Sequence, residues 1–386
     1  MNLNDYFDPV SLEKPDFSLL NDEYSFSRSL YIHTPDHPIK RLESFDLALI
    51  GVCEDRNALI KGSSTTADRI RSRLYLLGYV NRKTRMIDLG NIKQSPGTED
   101  AYYALRDVIT ELNNHGVVAI IMGGSQDMTV GMALFLEKWN ARGNFTTLDS
   151  KLDFGHPSEE AISSHNYLDS LFSSPGFQKI NHVNVGHQVY FTPLKLLDQF
   201  EKKGYESIRL GTARDSLSEI EPVLRDTHIL SIDMSVVRQS DAPAASLPTP
   251  NGFFGHEFCQ LTRYAGASSN MRAIAFFEIN TNQDFNDHTT HLAAQAIWYF
   301  VEGFSLKVQE NPQEKGSKKF IVKLSGMEEN LIFYKSLATE KWWMELPVNH
   351  EDTGKGILLS CSYEDYKRAC KDEIPDRWWK RFRKFD

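Results

Sequence analysis

The sequence lacks several features that mark particular classes of protein. None of its apolar runs reaches the ~18 residues that a membrane-spanning helix needs. Basic residues are not in excess, since 43 Lys and Arg stand against 52 Asp and Glu, and the net charge of -9 argues against a nucleic-acid-binding surface. Residues 1–26 contain no basic segment followed by an apolar run, so we predict no signal peptide. We therefore expect a cytoplasmic protein that binds neither membranes nor nucleic acid.

Cysteine is also scarce, with 4 residues in a chain of 386 and no CxxC pair. The scattered positions are Cys53, Cys259, Cys361 and Cys370. Such spacing indicates neither a zinc site nor a disulfide framework, and we interpret the four as reduced thiols of a cytosolic protein. A bridge between Cys361 and Cys370 is the alternative.

Short apolar runs that alternate with amphipathic stretches are abundant. The runs resemble strands buried on both faces and lie at 45–52, 85–88, 117–122, 145–148, 182–185, 207–210, 228–233 and 273–279. The helical stretches lie at 99–115, 129–139, 193–203, 217–225, 257–264 and 289–308. This alternation predicts an α/β fold with an eight-stranded, mainly parallel sheet between two layers of helices.

Changes in composition divide the chain into three predicted parts. Residues 1–40 are rich in proline and read as an extended N-terminal arm, and residues 41–310 form the α/β domain. The polar segment 309–319 precedes a possible hairpin at 320–324 and 331–334. The pairs Trp342-Trp343 and Trp378-Trp379 follow, so we predict that residues 311–386 form an aromatic-rich α+β extension packed on the main domain.

The stretch 149–153 is the centre of the predicted site. Asp149, Lys151 and Asp153 alternate after a strand and can therefore point to one side. In a parallel sheet, ligands bind beyond the carboxyl ends of the strands. The polar residues that follow four of the predicted strands are Gln126, Asp149, Lys151, Asp153, Asp233, Ser235 and Glu278. Close carboxylates repel one another, so a metal ion or Lys151 has to neutralise them.

These motifs resemble those of the ureohydrolase family, which comprises arginases, agmatinases and, most similar, formimidoylglutamases. The family's GGDHS, DAHxD and SxDxD read here as GGSQD (123–127), DSKLD (149–153) and SIDMS (231–235). Glu278-Ile279-Asn280 matches the family's Glu-x-Asn, Ser164-His165-Asn166 resembles its Ser-His-Gly, and the resemblance covers about residues 45–308. It implies a parallel sheet flanked by helices, a two-manganese centre and hydrolysis of a C–N bond in a linear amidine.

The departures from this pattern concern the metal ligands. Of the positions that the resemblance implies, Asp149, Asp153 and Asp233 are kept, while Gln126, Lys151 and Ser235 replace two histidines and an aspartate. A charge pair about 4 Å apart at an effective dielectric constant of ~20 is worth ~4 kcal/mol. We therefore expect Lys151 to stay an ammonium, to pair with Asp149 or Asp153 and to stand in for the metal, so that no cofactor is bound.

Two functions follow from these substitutions. The preferred one is a non-catalytic scaffold, partner-binding protein or ligand sensor with vestigial metal positions. The alternative is an active hydrolase of a formimino or guanidino compound, with one Mn²⁺ or another divalent ion on Asp149, Asp153 and Asp233. Its other residues would be His165 for proton transfer, Glu278 for the substrate cation, and Ser164, Asn166 and Asn280 for substrate binding. Without a metal-bound hydroxide to serve, we interpret His165 as an ordinary histidine of the cleft or surface.

The predicted partners are of two kinds. A small cationic ligand would suit the acidic residues at the strand ends, and a protein partner would suit the N-terminal arm and the Trp-rich extension. The resemblance also implies a possible homo-oligomer.

Overall fold

A large twisted sheet organises the chain. The computed structural model describes residues 1–11, 22–81, 83–139, 142–155, 161–314, 316–325, 327, 329–349 and 356–383. Within these ranges the sheet has ten strands. They are β1 (Phe7–Asp8), β2 (Leu30–Ile32), β3 (Leu47–Val52), β4 (Met86–Ile92), β5 (Val118–Met122), β6 (Asn144–Leu148), β7 (Asn181–His187), β8 (Glu206–Arg209), β9 (Ile229–Asp233) and β10 (Ala273–Phe277).

The order of the strands is β1-β4-β3-β5-β10-β9-β6-β7-β8, and β2 also pairs with β4. Only the β1–β4 pairing is antiparallel among these described strands. All eight predicted strands are present, but the sheet has ten strands rather than eight. The additional β1 and β2 come from the stretch that we predicted as an extended arm. With two and three residues they are too short to produce a recognisable hydrophobic period.

Helices cover both faces of the sheet. They are α1 (Thr66–Leu74), α2 (Thr98–Asn114), α3 (Thr129–Trp139), α4 (Tyr167–Ser173), α5 (Leu194–Lys202), α6 (Leu210–Asp215), α7 (Glu221–Asp226), α8 (Gly255–Gly266) and α9 (His288–Ser305). Successive residues of β3 show the layering, since Leu47 packs with α1, α8 and α9 in one core and Ala48 packs with α2 and α3 in another. The predicted three-layer αβα architecture is confirmed.

The C-terminal part forms a second, antiparallel sheet. It consists of β11 (Ser317–Val322), β12 (Leu331–Ser336), β13 (Trp342–Asn349) and β14 (Gly356–Cys361), followed by α10 (Tyr363–Ala369) and α11 (Asp376–Phe382). Its own core includes Phe333, Met344 and Trp378. The predicted hairpin is β11–β12, and the α+β character of the extension is confirmed. The proposed boundaries near residues 40 and 310 stay predictions.

Three sequence-based expectations concern single features. No helix in the described ranges is both long and apolar enough to cross a bilayer. All four cysteines are free thiols, so the alternative bridge between Cys361 and Cys370 is not formed. Positions 12–21 of the predicted arm and positions 384–386 of the basic tail lie outside the described residues.

Asp284 accepts hydrogen bonds from the first turn of α9, so its replacement should lower the stability of the fold. Its carboxylate accepts hydrogen bonds from the backbone N–H groups of Thr289 (2.8 Å) and Thr290 (2.9 Å) and from the Thr290 hydroxyl (2.7 Å). Helix N-termini leave such donors without intrahelical partners. We therefore expect Asp284→Ala to lower the free energy of unfolding by about 2 kcal/mol, measured by urea denaturation. The exposed Asp36 is the control, and an equal loss in Asp36→Ala would refute the capping role.

Candidate functional site

The site lies at the carboxyl edge of the main sheet. Strands β5, β10, β9 and β6 are adjacent and parallel, so their carboxyl ends meet at one edge. Gln126, Glu278 and Asp149 lie in the loops that follow β5, β10 and β6, and Asp233 is the last residue of β9. The fold thus brings together residues that are up to 152 positions apart, as the contact between Gln126 and Glu278 illustrates.

Tight turns fix two of the three aspartates. The Oδ1 atom of Asp149 accepts a hydrogen bond from the Lys151 N–H at 2.9 Å, and Asp233 Oδ1 accepts one from the Ser235 N–H at 2.6 Å. Each carboxylate is therefore held by the backbone two residues further on, as aspartates in such turns commonly are. Asp153 is also buried, and its Oδ2 forms no hydrogen bond with any described residue.

Burial and mutual repulsion act on these carboxyl groups. Burial, followed by the charge of the neighbouring Asp233, raises the pKa of Asp149 to about 7. The pKa of Asp153 is raised well above its ordinary value, first by burial and then by Asp149 and Asp233. The acids are thus close together and poorly compensated.

Lys151 does not form the predicted ion pair. Its ammonium lies over the Phe191 ring, 5.3 Å from the ring centroid, and it pairs with no carboxylate of the described residues. Its charge acts at longer range, where it opposes the rise in the pKa of Asp153 and Asp233. The long lysine side chain can lie along an aromatic surface while its head stays near water, which explains the difference from the prediction.

Gln126 and Ser235 occupy the other two altered positions. The backbone N–H of Gln126 donates to Glu278 Oε1 at 2.9 Å. Its fully buried side-chain amide forms no hydrogen bond of good geometry with a described residue, although it lies close enough to Asp149 to lower that residue's pKa. The Ser235 hydroxyl is hydrogen-bonded to that of Ser150 at 2.9 Å. Both side chains are neutral partners beside the acids.

A cavity of about 310 Å³ opens onto these residues. It is lined by Leu59, Lys151, Leu152, Asp153, Ser164, His165, Phe191, Asp233, Ser246, Leu247 and Glu278. The backbone of Glu278 adopts a φ of 62°, a left-handed conformation that is costly for this residue type and is often found at functional sites. Burial, followed by the charge of Asp233, raises the pKa of Glu278 to about 8.

Of the remaining predicted site residues, two line the cavity and two do not. Ser164 and His165 line the cavity, and the His165 ring is hydrogen-bonded to the Ser163 hydroxyl at 2.9 Å. Asn166 and Asn280 are not among the lining residues. The Asn166 side chain bonds to the backbone of residues 161 and 163, and Asn280 accepts from the Asn282 N–H at 3.1 Å. Both hold loops in place.

Several residues that line the cavity were not predicted from the sequence. Leu59, Ser246 and Leu247 lie in loops and Phe191 ends a three-residue 3-10 helix, and neither kind of segment has a periodic pattern. Tyr167 is completely buried near the acids, and its pKa is raised by burial and by the charges of Asp153, Asp149 and Asp233. Its position directly after Ser164-His165-Asn166 is the signal that could have pointed to it.

The donor atoms decide which ions the site can take. In the ranges that the structure describes, no three His, Cys, Asp or Glu side chains are arranged to hold a metal ion. Lys151 has only donors, Gln126 and Ser235 offer neutral oxygens, and hard divalent ions favour carboxylates while transition metals also favour imidazole. At these three positions the chain therefore offers no carboxylate and no imidazole.

Comparisons with known proteins agree on one family. The model of the arginase family matches residues 45–302. A formimidoylglutamase of Streptococcus gordonii is 22% identical over 292 residues, which cover 70% of this chain and 88% of that protein. A formimidoylglutamase of Bacillus subtilis is 30% identical over 94 residues, only 24% of this chain and 30% of that protein.

Solved structures show the same fold. Formiminoglutamase of Trypanosoma cruzi with Mn²⁺ has a TM-score of 0.64 and 20% identity, covering 70% of this chain and 97% of that one. Formimidoylglutamase of Bacillus subtilis has a TM-score of 0.66 and 18% identity, covering 77% of this chain and 97% of that one. At these identities the likeness concerns the fold.

Proposed function

Because the chain belongs to the arginase family, we propose that it is a non-catalytic member that has lost the two-manganese centre and binds a small cationic ligand in the cavity. The observation that carries the proposal is the replacement at three positions by Gln126, Lys151 and Ser235. We also propose a cytoplasmic location, in keeping with four free thiols.

The chemistry of these residues supports the loss of metal. Two divalent ions activate a bridging hydroxide only when anionic or imidazole ligands hold both of them. The Lys151 ammonium lies over Phe191, but its charge still acts on Asp153 and Asp233 and would weaken the binding of a divalent ion to them. Gln126 and Ser235 replace ligands with neutral groups, and the Ser235 hydroxyl is engaged by Ser150.

The cavity suits a planar cation such as an amidinium. Asp153, Asp233 and Glu278 all line it, and their carboxylates can accept paired N–H donors from an amidinium or guanidinium group. Burial of these acids makes a compensating positive charge favourable. The names of the relatives suggest formimino compounds as the ligand class, with Ser164 and His165 at the cavity wall.

A second candidate function rests on the orphaned polar atoms. Asp153 Oδ2 and both polar atoms of the Gln126 amide are buried without a hydrogen-bond partner in the described ranges. Such atoms can indicate an absent ligand. In this alternative Asp149, Asp153 and Asp233, which are not arranged to hold an ion in the described structure, would move together around one divalent ion. His165 would transfer a proton and Glu278 would bind the substrate cation.

Metal titration separates the two functions. We expect no saturable binding of MnCl₂ to the wild-type chain by calorimetry up to about 1 mM, and no release of ammonia, formamide or urea from formimino or guanidino compounds. The triple variant Gln126→His, Lys151→His, Ser235→Asp should bind Mn²⁺ at least about tenfold more tightly than this limit. Lys151→Met removes the charge without adding a ligand and is the matched control. Stoichiometric Mn²⁺ binding or product release by the wild type would refute the proposal.

The ligand class is tested separately with formamidinium as the probe. The wild type should bind it saturably in the millimolar range, and Glu278→Gln should weaken binding at least about tenfold, because a carboxylate partner is lost. Equal affinity in both proteins would exclude the cavity as the cation site and leave the metal result untouched.

A further inference from the structure

A second cleft, unrelated to the acidic site, lies between α7 and the C-terminal sheet. Its volume is about 840 Å³. On one side are Glu221 and Arg225 of α7, and on the other are Lys341 and Trp342 at the start of β13. Residues of the main domain and residues of the C-terminal sheet both line the cleft, so the cleft forms where the C-terminal sheet packs on the main domain.

Arg225 is a buried cation with unused donors at this cleft. Its exposed fraction is 5%, and its Nη2 donates to the carbonyl oxygens of Trp342 (2.9 Å) and Cys361 (3.1 Å). Nη1 and Nε form no hydrogen bond with any described residue. The nearest carboxylate oxygen paired with it, Glu221 Oε1, lies 3.6 Å from Nε, which is longer than a hydrogen bond. Buried donors without acceptors are unfavourable unless a ligand supplies them.

Lys341 shares the same carboxylate. Its ammonium lies 3.8 Å from Glu221 Oε1, so one carboxylate faces two cations. Burial lowers the pKa of Lys341, although Glu221 opposes this effect. Neither cation has a hydrogen bond to Glu221 of ordinary length, and the charge of Glu310 also acts on Lys341.

The other charges of the cleft are balanced. Glu340 pairs with Lys335 at 2.8 Å, and Glu364 pairs with Lys367. Lys318 and Glu219 also line the cleft and are of opposite charge. The Arg225 guanidinium lies over the Trp343 ring, 4.5 Å from the ring centroid, and its Nε and Nη1 donors remain without an acceptor among the described residues. Asp226 is not among the residues that line the cleft; it accepts from the Ser360 N–H at 2.9 Å, and its charge acts on Arg225, Arg377 and Arg381.

Aromatic rings form the opposite wall. The Trp342 ring stacks on Tyr366 with centroids 4.8 Å apart and on Phe320 at 5.2 Å. Tyr363 continues this wall and is 54% exposed. A flat ring could stack there while a charged group reaches the two cations.

We infer that this cleft binds an oxyanion, phosphate or carboxylate, carried by a small molecule with a flat ring. The unused donors of Arg225 and the Lys341 ammonium take the oxyanion, and the exposed face of Tyr363 takes the ring. This inference does not depend on the function proposed for the acidic cavity.

Phenyl phosphate, benzoate and inorganic phosphate are suitable probes for the full-length chain at constant ionic strength. Calorimetry should show saturable binding of phenyl phosphate at roughly 1 mM or below, and at least about threefold weaker binding of inorganic phosphate, which lacks the ring. A preference for phenyl phosphate over benzoate would identify phosphate as the natural oxyanion, and the reverse would identify carboxylate.

Two variants locate the binding. Lys341→Met should weaken phenyl phosphate binding at least about tenfold, whereas Lys323→Met, which removes an exposed lysine outside the cleft, should leave it unchanged. Tyr363→Ala should weaken phenyl phosphate but not inorganic phosphate, and it serves as the test if Lys341→Met does not fold. No saturable binding up to about 10 mM, or equal losses in the two lysine variants, would overturn the inference.

Discussion

Replacing Arg71 by methionine should lower the free energy of unfolding by about 4 kcal/mol, measured by urea denaturation. Arg71 of α1 is completely buried and binds Asp88 of β4 through two hydrogen bonds, Nε to Oδ2 at 2.9 Å and Nη2 to Oδ1 at 3.0 Å. Its Nη2 also donates to the Gly90 carbonyl at 2.8 Å. Without the guanidinium, the Asp88 carboxylate stays buried with no opposite charge, and a buried unpaired charge is among the most destabilising defects.

A second substitution shows whether the lone charge is the cause. Adding Asp88→Asn to Arg71→Met should recover part of the lost stability, because the buried group is then neutral and still accepts from the Tyr75 hydroxyl. The matched control is Arg85→Met, which breaks an ion pair with Asp46 at a side chain that is 56% exposed and should cost less than about 1 kcal/mol. A loss of similar size in both single variants would contradict the assignment.

His228 should make stability depend on pH between about 6.5 and 4. Its pKa is lowered to about 4 by burial and then by the charges of Arg272 and Arg381. Its Nδ1 accepts a hydrogen bond from the Asn144 N–H at 2.9 Å, which requires that this nitrogen carry no proton. The unfolded chain takes up the proton near pH 6.5 and the folded chain only near pH 4. The stabilisation is therefore complete above pH 6.5 and is lost as the pH falls towards 4.

His228→Asn isolates this effect, because the asparagine oxygen can accept the same N–H but does not titrate. Between pH 7.5 and 4.5 the wild type should lose about 2.5 kcal/mol of unfolding free energy relative to the variant. An NMR titration of the imidazole gives the pKa directly, and Arg272→Met should raise it by removing one repelling charge. A stability difference that is constant over this pH range would contradict the prediction.

The buried Arg71 also explains why helix α1 was not predicted from the sequence. The segment Thr66–Leu74 carries several charges, and one of its buried positions is an arginine, so its core-facing side does not read as apolar. Helices α4 and α6 have 7 and 6 residues, too few for a clear period. The long apolar strands were predictable because both of their faces are buried.

The amino-acid sequence alone determined the alternating α/β pattern, the family resemblance and the convergence of Asp149, Asp153, Asp233 and Glu278 at one sheet edge. These depend on local periodicity and on the rule that parallel strands end together. Tertiary structure decided where Lys151 lies, over Phe191 rather than against the acids. It also decided that β1 and β2 extend the sheet and that Arg225 and Lys341 share one carboxylate. Side-chain direction and contacts between distant segments depend on packing, which no local pattern encodes.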